Sequence, residues 1–443
     1  MKISRWRRKR INFNRNKINK INRLTQRRNK RKRNYSTASK ERNFSNKVFF
    51  FLEEKNFGAT SLIKKWTRKA IIQIPKSFSI SENPNESLAV LKELYNYGSN
   101  LKIKEIVIDH SECINLEIAA STIMDVIVLA IQEYHRKNKS EIMLSGKVPC
   151  TGRVKDVFMA SGLAAHLKIS IDSKVSINKE NMELFQLKSG QHNSGISDST
   201  ATYLAEYIIR CMRTQGFTLN DEGRNALSVL FSEVLNNCEI HGGSKSMWFA
   251  LGHYQINPEH NSYGEIQLVI FNFGNTIYEQ MNSTETTVET KEKLLYLKER
   301  HLNKFSSKWN LEMLYSLFSL QEGISRLRNK DVTGNTKRGT GTIRLIENFE
   351  KIGQTCYDRK SLMTITSGNT HIRFDGKYSL KKELFRDKVL GVNNRKIIAF
   401  NKDNDIFEPP DPSNVYKLSE FFPGTIISLN FFFDKEYFKK ITK

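Results

Sequence analysis

The segment from Glu222 to His241 constrains the fold of this chain more than any other. Leu227, Leu230, Phe231, Val234, Leu235 and Cys238 recur at intervals of three and four residues, the spacing of one face of an α-helix. Such a face has to be buried against another layer. Glu233, Asn237 and His241 stand four residues apart, and successive steps of four rotate by only about 40°. The three therefore line one stripe beside the apolar face, and Gly242-Gly243 ends the helix. A carboxylate and an amide one turn apart on a helix edge can serve a metal-bound phosphate. The amide oxygen of Asn237 suits Mg2+, a hard cation, and Glu233 can take a proton from a water or hydroxyl attacking phosphorus. The same residues also suit the plain solvent side of a core-packed helix.

The downstream pattern weighs toward the phosphate. A strand over 265–271 runs into Asn272-Phe273-Gly274-Asn275-Thr276-Ile277, and a polar stretch holds Arg338-Gly339-Thr340-Gly341-Thr342 before a helix over 343–351. A glycine-rich turn feeding a helix N-terminus cradles phosphate, because free backbone N–H groups and the helix dipole both favour anions. Further on, Phe422-Pro423-Gly424-Thr425 is a turn leading into a buried strand.

In this order the segments resemble the nucleotide-binding motifs of the GHKL superfamily (gyrase, Hsp90, histidine kinases and MutL) over about 240 residues. Glu233-x-x-x-Asn237-x-x-x-His241-Gly242 resembles the helix that supplies base and magnesium ligand. Asn272-x-Gly274 resembles the first glycine box, Arg338-Gly339-Thr340-Gly341 the second, and Gly424-Thr425 the closing strand near adenine. The resemblance implies an α/β, or α+β sandwich, fold of the Bergerat type, with helices on one face of a mixed sheet. It implies ATP and Mg2+ as ligands, Glu233 as catalytic base and Asn237 as metal ligand. Asn237, His241, Asn272, Gly274, Ile277, Arg338, Gly339, Thr340, Gly341, Thr342 and Thr425 would contact nucleotide. The helix motif looks most like that of anti-sigma-factor serine kinases, and no dimerisation helix with a phospho-accepting histidine precedes it. Two positions depart from the pattern. Asn272 replaces the adenine-reading Asp, although an amide oxygen can also accept a hydrogen bond. Thr276 replaces the second glycine and is expected to crowd its turn. The long segment 278–337 suits a lid over nucleotide, and 378–412 reads as a basic, polar insertion.

Upstream, strands expected at 70–74, 103–109 and 141–146 alternate with helices at 84–98, 117–136 and 154–167, the signature of an α/β layer. The run Ile106-Val107-Ile108-Asp109-His110-Ser111 and the later Val157-Phe158-Met159-Ala160-Ser161-Gly162-Leu163 resemble a STAS domain, the fold of anti-sigma-factor antagonists. That family's Asp-Ser pair is absent from Asn115-Leu116-Glu117-Ile118-Ala119-Ala120-Ser121. A degenerate docking domain is therefore expected rather than a phospho-switch.

Charge is segregated. Of 71 Lys/Arg and 46 Asp/Glu in the chain, residues 1–42 hold 18 of the former and only Glu41 of the latter. Such density repels itself and leaves little to bury, so residues 1–66 read as a largely disordered tail. It suits nucleic acid or another polyanion, each phosphate contact releasing counterions; a merely solvated tail and an organelle-import signal are the other readings. Five scattered cysteines without metal-ligand spacing point to a reducing compartment, and the chain is expected to be cytoplasmic. No apolar run is long enough for a transmembrane segment. The expected organisation is a tail over 1–66, a STAS-like domain over 67–180, a linker over 181–197 and the ATP-binding domain over 198–443. The expected function is an ATP-dependent switch or serine/threonine-type protein kinase in regulatory signalling. A regulatory protein partner and a homodimer are the associations the resemblance implies. A nucleic-acid-associated ATPase and a pseudo-enzyme interaction module are the alternatives.

Overall fold

Strand–helix alternation in the first half yields a parallel layer. The computed structural model of the protein describes residues 47–58, 68–150, 152–160, 182–256, 263–322, 324, 341–353, 360–387, 389 and 391–434. Helix α1 (47–54) is followed by β1 (Lys69–Gln73), β2 (Ser77–Phe78), α2 (Pro84–Ser99), β3 (Glu105–Asp109), β4 (Asn115–Leu116), α3 (Ile118–Lys137), β5 (Met143–Lys147) and α4 (Gly152–Ala160). Strands β1, β3 and β5 form a three-stranded parallel sheet in that order, and β2 pairs with β4. The expected tail extends less far than composition indicated. Within 47–58, Val48, Phe49, Leu52 and Phe57 are buried, with Phe49 stacked on Tyr134 at 3.8 Å. Residues 1–46 lie outside the described residues.

The second half builds β6 (Met182–Gln191), α5 (Ser197–Thr214), α6 (Asp221–His241), β7 (Met247–Ile256), β8 (Tyr263–Phe273), α7 (Ile277–Met281), α8 (Val288–His301), α9 (Leu311–Phe318), α10 (Gly341–Gly353), β9 (Leu362–Phe374), β10 (Lys381–Asp387), β11 (Gly391–Ile397) and β12 (Val415–Asp434). Five strands form one sheet in the order β6-β7-β8-β12-β9. The class is mixed α and β, as expected, but this sheet is antiparallel at every pairing rather than mixed, because β12 enters between β8 and β9 running against both. The stretch 181–197, expected as a linker, contains β6. Its polar composition is that of an edge strand, with Leu184, Gln186, Lys188 and Ser189 exposed and Phe185 and Gly190 buried along it. The insertion at 378–412 folds into the β10–β11 hairpin and a turn region where Ile398, Ala399 and Phe400 are buried.

Burial on both faces sets the layering. Trp248, Ala250, Ile266, Leu268, Ile270, Leu429 and Phe431 turn to one side and pack with Leu227, Leu230, Phe231 and Leu235 of α6 and Leu345 and Phe349 of α10. Met247, Phe249, Leu251, Val269, Phe271, Phe273 and Ile426 turn to the other and pack with α2 and α3. Helices therefore cover both faces, not one, since period-two alternation of apolar residues gives a strand two faces to bury. A helix between two sheets should be apolar nearly all round, and every residue of α3 from Ile118 to Val128 is buried.

A polar clamp fastens the layers. Glu117, at the N-terminal boundary of α3, accepts hydrogen bonds from Ser79 Oγ (2.7 Å), Ser81 N (2.9 Å), Ser81 Oγ (2.6 Å) and, on β12, Ser428 Oγ. The Ile118 N–H donates to Gln267 Oε1 of β8 at 3.0 Å. A buried carboxylate is tolerated when its oxygens are satisfied in this way.

Two buried histidines tie this packing to pH. His110 lies edge-on to Phe158, and burial lowers its pKa from 6.5 to about 4. His371 bonds Thr366 Oγ1 through Nδ1 at 2.8 Å, and burial, with Arg373 nearby, lowers it to about 3. Unfolding returns both to about 6.5, so the unfolded chain binds protons that the folded chain refuses. Their contribution is complete above about pH 6.5 and is lost as pH falls through the window down to about 4 and 3. The melting temperature, followed by calorimetry, is expected to fall steadily from pH 7 to pH 5; a level profile would contradict the burial of these rings.

Candidate functional site

The stripe expected on α6 forms. Asn220 caps the helix, its side chain accepting from the Gly223 N–H at 2.8 Å, and Glu233, Asn237 and His241 follow along one edge. The apolar face opposite is buried, and burial pushes the Cys238 thiol up to about 12, which leaves it unreactive as a nucleophile. From Glu233 to His241 the helix rises about 12 Å, and each end of that span meets a different element.

At the far end, α6 meets the glycine turns. The Asn275 N–H donates to Gly242 O at 2.8 Å and the Gly274 N–H to Pro423 O at 3.1 Å, which draws the end of α6, the end of β8 and the start of the final run of β12 together. The approach is closer than a side chain permits. A Cβ on Gly274 would lie 2.5 Å from Gly242 O, and one on Gly424 only 1.9 Å from Asn272 O. Gly424 also has φ +147°, a conformation that L side chains avoid. Asn272 is 2% exposed, and its Nδ2 is buried without a hydrogen-bond partner. A buried amide nitrogen in that condition is rare and costly.

Thr425 stands opposite Asn272 in the β8–β12 register. Ser367 of β9 links them to the next helix: its Oγ donates to Gly424 O at 3.0 Å, lies 3.0 Å from Thr425 Oγ1 and accepts from the Ile277 N–H at 2.9 Å. Thr276, expected to crowd its turn, instead caps α7. Its Oγ1 accepts from the Glu279 N–H while Glu279 Oε2 accepts from the Thr276 N–H, a complete capping box.

At the near end, α6 meets α10. Arg344, in the first turn of α10, donates from Nη1 to Glu233 Oε1 at 2.8 Å, while Glu233 Oε2 is buried without a hydrogen-bond partner. Asn237 is exposed one turn further along. Gly341 and Thr342 open α10; Arg338, Gly339 and Thr340 lie outside the described residues, as does the side chain of His241.

The structure thus gathers Asn272, Gly274, Ile277 and Thr425 at one end of the α6 stripe and brings α10 beside Glu233 at the other. Sequence reasoning missed Ser367 and Arg344. Neither sits in a glycine motif; only the β9–β12 register brings Ser367 opposite Thr425. Comparison with the models of known families, with curated proteins and with solved structures gives no match for this chain. Among the described residues, no helix is long and apolar enough to cross a membrane.

Gly424→Ala is expected to destabilise the fold by at least about 2 kcal/mol, since it combines a forbidden φ with a backbone clash. Urea unfolding measures this; a change below about 0.5 kcal/mol, the ordinary range of a harmless surface substitution, would show that β12 relaxes freely at this point.

Proposed function

We propose that this protein binds ATP with Mg2+ between α6, the segment 272–277 and the glycine-rich run at 338–342, and uses it as a regulatory switch or protein kinase of the GHKL type. The observation that carries this reading is Asn272, an almost fully buried amide whose Nδ2 lacks a partner in a seam walled by glycine backbone. A planar nucleobase edge offers both a donor and an acceptor to such an amide. Thr425 and Ser367 add hydroxyls on the same side.

The residues present suit the ligand at its other end too. The start of α10 offers backbone N–H groups to phosphate. Asn237 is the residue that would hold the cation; among the described residues no three His, Cys, Asp or Glu side chains gather to hold one without phosphate oxygens. The cation would supply charge neutralisation at phosphate. Glu233 would orient the attacking water or hydroxyl and take its proton at Oε2. The packed apolar face of α6 holds that carboxylate in register with Asn237.

Titration calorimetry of the full chain with ATP and Mg2+ is expected to show binding, and Glu233→Gln to keep binding while losing at least about a hundredfold in phosphate release. No heat at millimolar ATP would turn the reading into that of an interaction module. Normal turnover by the Gln variant would remove Glu233 from the chemistry.

A polyanion is a second ligand of the same chain, favoured by where the basic segment joins the fold. Helix α1, which directly follows residues 1–46, and Lys55 just after it are fastened by Lys55 to Glu279 of α7 (2.9 Å) and by Glu54 to Lys245 (2.7 Å), close in sequence to Gly242 and to the segment 272–277. Removing residues 1–45 is expected to flatten the salt dependence of binding to single-stranded RNA or heparin. An unchanged slope would place that binding elsewhere.

A further inference from the structure

Resting on the nucleotide reading above, the geometry points to Arg344 as the residue that distinguishes a nucleoside triphosphate from a diphosphate, by exchanging Glu233 for the terminal phosphate. Arg344 belongs to none of the glycine motifs. It stands three residues after Gly341, which opens α10, and so belongs to the first turn, the end of a helix that favours anions. Its side chain is 47% exposed, and it bonds Glu233 through Nη1. A guanidinium carries five donors in a fork that fits carboxylate or phosphate in pairs. The bond to Glu233 uses one of them, and the second carboxylate oxygen is buried unbonded. The pair therefore leaves one oxygen of Glu233 unmatched.

A terminal phosphate carries more charge than a carboxylate and three oxygens to share. Offered at the start of α10, it satisfies the fork of Arg344 better than Glu233 Oε1 does. Arg344 turns to it, and Glu233 is left with both oxygens free, next to Asn237. A diphosphate lacks the group that competes, so the Glu233–Arg344 pair stays closed. One ion pair thus reads the presence of the third phosphate and uncovers the base only then. A purely structural role, pinning α10 to α6, predicts a different pattern: an exposed ion pair of this kind holds helices together only weakly, and losing it would affect both nucleotides alike.

Calorimetric titration of the full chain with ATP and with ADP, each with Mg2+, separates these. Arg344→Ala is expected to weaken ATP by about tenfold or more while ADP changes by less than about twofold. Arg344→Lys should recover part of the loss, and Glu233→Gln, which removes the competing charge, should bind ATP at least as tightly as the unaltered chain. Equal weakening of both nucleotides by Arg344→Ala, or no change in either, would overturn the inference and leave the nucleotide reading intact. An unaltered chain that binds neither nucleotide would overturn both.

Discussion

A sheet buried on both faces is the constraint from which the rest of the structure follows. Strands β7, β8 and β12 carry apolar side chains on both sides, so neither face can be left to water. One face takes α5, α6 and α10; the other takes α2 and α3 of the first half. This makes the two halves a single layered body, and the Glu117 clamp closes the seam where polar groups would otherwise be stranded. The site inherits its rigidity from the same packing. Helix α6 can hold Glu233 and Asn237 at a fixed spacing because its opposite face is locked into the sheet.

The two ends of the candidate site are built differently. The end at Asn272 is made of backbone: glycines 242, 274 and 424 let three elements approach more closely than side chains allow, and hydrogen bonds from Gly274 and Asn275 fix them. Asn272 is buried there. The end at Glu233 is made of side chains on two helices, with a half-exposed ion pair between them. The ion pairs Lys55–Glu279 and Glu54–Lys245 fasten the segment at 47–58 to the same half of the protein.

Much of this was legible in the chain. The helix at 222–241, the strand at 265–271 and the alternation over 70–146 were all expected and are all found, because their apolar spacing is long and regular; the turn expected at 422–424 lies instead inside β12. The strand β6 was hidden because an edge strand tolerates polar residues, so its composition looks like a linker's. Helix α1 was hidden because basic residues upstream outweigh four buried apolar side chains in any averaged window. Thr276 was misjudged because a departure from a glycine motif was weighed before the local rule for helix caps, which explains it fully.

Sequence alone determined the elements and the stripe of polar residues on α6, since helical periodicity places residues four apart on one edge whatever the surroundings. Only the tertiary structure decided that the sheet is antiparallel and covered twice, that Ser367 meets Thr425, and that Arg344 meets Glu233. Those depend on register and layer order, which join residues 58 and 111 positions apart. Local spacing carries no information over such distances, because they are set by which apolar faces find each other when the chain collapses.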